Sequence, residues 1–102
     1  MSDDLDDVMA ELRAEYVAEA PERLAMLTSA IEAFGASGTN GDAVTRLLHQ
    51  LTGSAGSYGF EAVSELSREL EQWMKGAPPA DGPTITRLRA GVETVRGMLL
   101  GS

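Results

Sequence analysis

Apolar residues recur every three or four positions along most of this chain, the spacing of one buried face on an α-helix. The first such run covers residues 3 to 18, with Leu5, Val8, Met9, Leu12 and Tyr16 on one side. Asp3, Asp4, Asp6 and Asp7 crowd its first turn, where the helix dipole favours anions. Pro21 suits the opening turn of a second run that reaches about Phe34, with Leu24, Leu27, Ile31 and Phe34 facing inward. The pattern leaves open whether these two runs are separate helices or one kinked helix.

A turn-forming stretch from Gly35 to Gly41 follows, and Asp42 is placed to cap a third helix ending near Tyr58. Its stripe is Val44, Leu47, Leu48, Leu51, Ala55 and Tyr58. Tyr58-Gly59 marks a short break, after which Val63, Leu66, Leu70 and Trp73 define a fourth helix to about Lys75. The stretch Gly76 to Gly82 ends it, and Pro83 opens a fifth helix with Ile85, Leu88, Val92, Val95 and Leu99 inward. No segment alternates as a strand does. The expected fold is therefore all-α, an up-down antiparallel four-helix bundle with an additional short or kinked N-terminal helix.

Composition narrows the class. A length of 102 residues points to one domain spanning 1–102, and 43% apolar with 24% charged residues is an ordinary globular balance. A formal charge of −8 opposes nonspecific attraction to nucleic acid or to an anionic membrane. No cysteine is present, which excludes disulfides and thiolate metal sites and fits a cytoplasmic home. The acidic start is unlike a signal peptide, and no apolar run approaches the roughly 20 residues needed to span a bilayer. With one histidine and no pair of Glu-x-x-His motifs, metal binding is weakly supported. Gly53-Ser54-Ala55-Gly56 lacks the lysine and spacing of a nucleotide loop.

The single histidine, His49, carries the candidate chemistry. Its ring lies roughly 150° from the middle of the third helix's apolar stripe, so it is expected in solvent. Thr45, Arg46, Thr52, Gly53 and Gly56 are expected around it on the same side. A glycine in a helix interior costs about 1 kcal/mol relative to alanine, so Gly53 and Gly56 weaken this helix without a packing return on an exposed face. A bare surface at i+4 from an imidazole would let a partner approach it closely.

From His49 the chain reads His49-Gln50-Leu51-Thr52-Gly53-Ser54-Ala55-Gly56-Ser57-Tyr58-Gly59-Phe60, with Leu70-Glu71 at the end of the next helix. This resembles the histidine phosphotransfer (HPt) domain, the helical carrier of multistep phosphorelays and of chemotaxis kinases. Leu51, Gly53, Ser54, Ala55, Gly59 and the Leu70-Glu71 pair fall at matching positions. The likeness covers the whole chain in helix order and is most specific over residues 47 to 71. It implies that His49 accepts a phosphoryl group from a receiver aspartate or a kinase and passes it to another receiver. It also implies that Glu71 bonds the histidine Nδ1, leaving Nε2 as nucleophile, and that Mg²⁺ comes from the partner receiver, the domain itself needing no cofactor.

One position departs from the pattern: Thr52 stands where the family commonly has lysine. A threonine hydroxyl can hydrogen-bond a phosphate oxygen but supplies no charge. Arg46, at i−3 from His49, shares its helix face and could take over part of that task. Arg68 and Lys75, at i−3 and i+4 from Glu71, read as its ion-pair partners. Two functions stay open on the sequence, a phosphoryl carrier and an adaptor of the same fold that binds a receiver or kinase without transfer.

Overall fold

The computed structural model describes residues 2–101, with side chains from Asp4 onward. Among the described residues there are four helices and no strand: α1 (Ser2–Ser37), α2 (Gly41–Ser57), α3 (Glu61–Lys75) and α4 (Gly82–Leu100). The acidic first turn expected around Asp3 lies partly outside the described side chains.

The two runs expected at the N-terminus are one continuous helix with Pro21 inside it. Proline lacks the N–H that would bond the carbonyl of Val17 and costs about 3 kcal/mol in a helix interior. Continuity wins because the buried stripe passes straight through: Tyr16, Ala20, Leu24, Leu27, Ile31 and Phe34 all lie in the core, while Pro21 itself faces solvent. A break at Pro21 would take half of that stripe away from the bundle.

At 1.5 Å per residue, α1 is about 54 Å long, roughly twice its partners. The molecule measures 52 × 23 × 18 Å, so the first turns of α1 extend past the other helices. Leu5 and Val8, expected inward, are therefore exposed, and Met9 and Leu12 are only half-buried.

Each helix packs on two neighbours, α1 on α2 and α4, and α3 on α2 and α4, with no diagonal contact among the described residues. Contacts at both ends show that consecutive helices run antiparallel. Tyr16 meets Ser54, whereas Phe34 meets Gly41. Arg89 makes a two-pronged bond to Glu32. Arg87 stacks its guanidinium 4.3 Å from the centroid of the Trp73 ring. The α4 stripe of Ile85, Leu88, Val92, Val95 and Leu99 is buried throughout, as its spacing predicts.

The helix ends explain the register. Asn40, in the left-handed region at φ 70°, precedes α2, and Asp42 lies inside the first turn rather than capping it. At the other end, Phe60 N–H donates to the Ala55 carbonyl and Gly59 N–H to that of Gly56, a Schellman closure. That closure needs a left-handed residue, supplied by Gly59 at φ 83°. Arg13 reaches from α1 to donate to the Tyr58 carbonyl at 2.7 Å. At the start of α4, Asp81 accepts from the Thr84 N–H at 3.0 Å, which holds its carboxyl below the usual aspartate range.

Continuity of α1 generates a test. Pro21→Ala restores the missing backbone bond on an exposed position and should raise stability by roughly 1–3 kcal/mol. Thermal and denaturant unfolding of the two proteins will measure it, and an unchanged midpoint would mean that α1 is interrupted at this residue.

Candidate functional site

His49 projects from the middle of α2, where Val44, Leu48, Leu51 and Ala55 turn the opposite face into the core. Its side chain is 74% exposed, yet its Nδ1 lies 2.8 Å from Oε2 of Glu71, whose side chain is only 5% exposed. Lys75, one turn further along α3, brings Nζ to 3.3 Å from that same oxygen. One carboxylate, set down between two helices, thus anchors the base of an otherwise solvent-exposed ring.

Burial pushes the Glu71 pKa up, but hydrogen bonds from His49 and Lys75, with their charges, outweigh it and hold the carboxyl below the usual glutamate range. An ionised carboxylate only accepts hydrogen bonds. Nδ1 must therefore carry a proton, and in the neutral ring the lone pair is then on Nε2. A depressed folded-state pKa also has a sign for stability. The contribution of Glu71 is fully present at neutral pH and is lost as pH falls through and below the ordinary glutamate range.

The close fit of α2 and α3 comes from small and polar residues. The Ser64 hydroxyl donates to the Thr52 carbonyl at 2.8 Å, and a Cβ placed on Gly56 would stand 3.2 Å from that hydroxyl. Gly56 is exposed, as expected, yet it also borders the contact with α3, so its missing side chain has a packing return that the helix pattern alone does not show. Gly53 is the opposite case: a Cβ there would meet nothing within 4 Å. The surface one turn beyond His49 is open.

Thr52 also departs from expectation. It is 8% exposed, and its hydroxyl donates to the Leu48 carbonyl at 2.8 Å. At i+3 from His49 the helix has already turned this residue towards α3, so its hydroxyl is committed to the backbone rather than displayed beside the imidazole. Arg46 is exposed on α2 one turn before His49, as its spacing predicts. Of the two flanking cations on α3, Lys75 bonds Glu71, while Arg68 lines a shallow depression with Gly56, Glu61, Ser64 and Glu65. The i+4 spacing of Lys75 signals an ion pair; its meeting with His49 on one oxygen is visible only across two helices.

On the α1 side of His49, a second depression is lined by Met26, Leu27, Leu47 and Leu51, with Arg23 and Gln50. Met26 is exposed there, and Arg23 is held by Glu19 at 2.9 Å. No helix among the described residues is long and apolar enough to cross a membrane.

A family model described as "Hpt domain" matches residues 11–98. No curated protein and no solved structure matches the chain.

Burial of Thr52 reverses the effect a lysine would have in an exposed place. Thr52→Lys should cost roughly 1–3 kcal/mol, because a charge enters a nearly closed helix contact and the hydroxyl bond is lost. Urea unfolding at neutral pH is the measurement; full stability in the variant would show that this position opens to solvent.

Proposed function

The chain belongs to the Hpt domain family, the histidine phosphotransfer domains of phosphorelays, and on that premise we propose that His49 is its phosphoryl acceptor. The observation that carries this reading is the Nδ1 bond to a buried, ionised Glu71 beneath a ring whose Nε2 faces solvent. It supplies both requirements of a nucleophile, a fixed tautomer and an accessible lone pair.

In the reaction, Nε2 attacks the phosphorus of a receiver's aspartyl phosphate in line. The N–P bond forms as the P–O bond breaks, and the aspartate carboxylate leaves with the electron pair. The imidazole keeps its Nδ1 proton and becomes positively charged, next to the Glu71 carboxylate that offsets the new charge. Return of the phosphoryl group to a second receiver, or its arrival from a histidine kinase, uses the same lone pair. The domain contributes placement and the nucleophile without turnover of its own.

The Mg²⁺ that such transfer requires does not fit the residues at this site. Glu71 is the carboxylate in contact with His49, and it already accepts from Nδ1 and Lys75. Metal binding is therefore assigned to the receiver, and no step on this chain is routed through it. The apolar depression between α1 and α2 offers the partner a further contact on the helix that carries His49, and the bare surface at Gly53 lets it come close. Partners of the receiver or kinase class, in the cytoplasm, fit this site; the net charge of −8 disfavours nucleic acid and anionic membrane surfaces.

Incubation with a phosphorylated receiver should place acid-labile phosphate on the chain. His49→Gln should abolish the label while shifting stability by under about 0.5 kcal/mol, the usual range for an exposed polar exchange. Label persisting in that variant would exclude His49, and intact receiver binding without label in the parent would make the chain an adaptor. Glu71→Gln keeps an oxygen near Nδ1 but removes the charge, and should slow acceptance roughly tenfold.

Gly53→Leu separates helix propensity from access. Stability should rise by up to about 1 kcal/mol while transfer falls, because the new side chain stands in the partner's path. Paired unfolding and transfer assays will read the two signs, and a variant that is stabilised with transfer intact would remove close approach as the reason for this glycine.

A further inference from the structure

Glu71 is a nearly buried carboxylate, and its hydrogen-bond partner His49 can attack phosphorus only as the uncharged imidazole. A buried anion is costly unless a full charge faces it. The groups near it can be assigned one by one. On α2, Arg46 lies one turn away and contacts no carboxylate within ion-pair distance among the described residues. On α1, Arg23 is taken by Glu19. On α4, the other helix packed against α3, Arg87 stacks on Trp73, Arg89 is taken by Glu32 and Arg96 by Glu93. On α3, Arg68 lies towards Gly56 and Glu65. The cation in contact with Glu71 is Lys75, at 3.3 Å from the oxygen that Nδ1 also bonds.

We propose that Lys75 is a positioning residue for phosphoryl transfer, acting through Glu71: its ammonium keeps the buried carboxylate ionised and thereby keeps the proton on Nδ1 and the lone pair on Nε2 of His49. This rests on His49 being the acceptor. The alternative proton arrangement shows what the lysine prevents. A protonated Glu71 would donate to Nδ1, the ring proton would move to Nε2, and no nucleophile would face the partner.

The chain is built to hold Lys75 in this place. Glutamate four residues before lysine is the favourable order on a helix, and the last turn of α3 is where the dipole favours a cation. The lysine is 54% exposed, so its ammonium remains hydrated on one side while it meets Glu71 on the other. Buried Thr52 supplies no charge at all. The cation that the family pattern sets on the histidine's own helix stands here on the neighbouring one.

Because His49 is the sole histidine, its ring nitrogens can be followed without ambiguity in the ¹⁵N-labelled full chain. Nitrogen shifts against pH should show the Nδ1-protonated neutral tautomer in the parent and in Lys75→Arg. In Lys75→Met, the Nε2-protonated form should grow, and the midpoint should move up by about half a pH unit, the effect of removing a cation several ångströms from the ring. Phosphoryl acceptance by Lys75→Met should fall severalfold near neutral pH and recover as pH rises, a shift that lost packing would not produce. Parent-like tautomer and midpoint in Lys75→Met would overturn the proposal. The nitrogen spectra require no phosphoryl transfer. A parent that takes no label but shows the lysine-dependent tautomer would refute the acceptor reading while confirming that Lys75 orders the ring.

Discussion

How closely α2 and α3 approach sets everything at this site. Ser64 reaches the Thr52 carbonyl across the contact, and the missing side chain at Gly56 leaves room for it. A methyl group there would stand 3.2 Å from that hydroxyl, tighter than ordinary van der Waals contact, so the Ser64 side chain would have to give by a few tenths of an ångström. Two turns along the same antiparallel contact, that spacing brings Glu71 under His49 at hydrogen-bonding distance. The polar stripe of Ser64, Ser67 and Glu71 is consequently buried on a helix whose other inward residues are Val63, Leu70 and Met74. Ser67 is left without a hydrogen-bond partner, and nothing in the structure explains its hydroxyl.

Burial and exposure divide the labour between the two main residues. The carboxylate sits where its position is determined by packing, and the ring it holds sits where a partner can reach it. A side chain anchored from below loses rotational freedom before the encounter rather than during it, which is how preorganised groups lower a barrier. The same arrangement makes the carboxylate sensitive to its cation, because a charge with little water around it is governed by its nearest neighbours.

Helix α1 acts as the strut on which this pair is mounted. Tyr16 bonds the Ser54 hydroxyl at 2.8 Å and stacks with Phe60 at 5.6 Å between centroids, while Arg13 closes the end of α2 through the Tyr58 carbonyl. These contacts hold the α2–α3 turn from outside, at the other end of α2 from the connection that closes at Asn40. The strut has to pass through Pro21 to do so, and the stripe from Tyr16 to Phe34 supplies the burial that offsets the lost backbone bond.

Periodicity and turn residues alone determine the helical class, the buried stripes of α2 and α4 and the exposed position of His49, since each follows from the local geometry of 3.6 residues per turn. The motif around His49 likewise identified Glu71 as the group to look for at Nδ1. Other features were decided by contacts between residues far apart in sequence. Pro21 reads locally as a helix start, but a stripe shared with two other helices carried α1 through it. Leu5 and Val8 have helical spacing, but no helix extends far enough to cover them. Thr52 and Gly56 read as surface when only their own helix is considered; the approach of α3 buried one and gave the other a contact. Lys75 is a simple i+4 partner of Glu71 in the sequence, and became part of the site only because α2 delivers an imidazole to the same oxygen. A helical pattern specifies which face is apolar, whereas the edge of that face that becomes an interface depends on the neighbour's distance and register, which no single segment encodes.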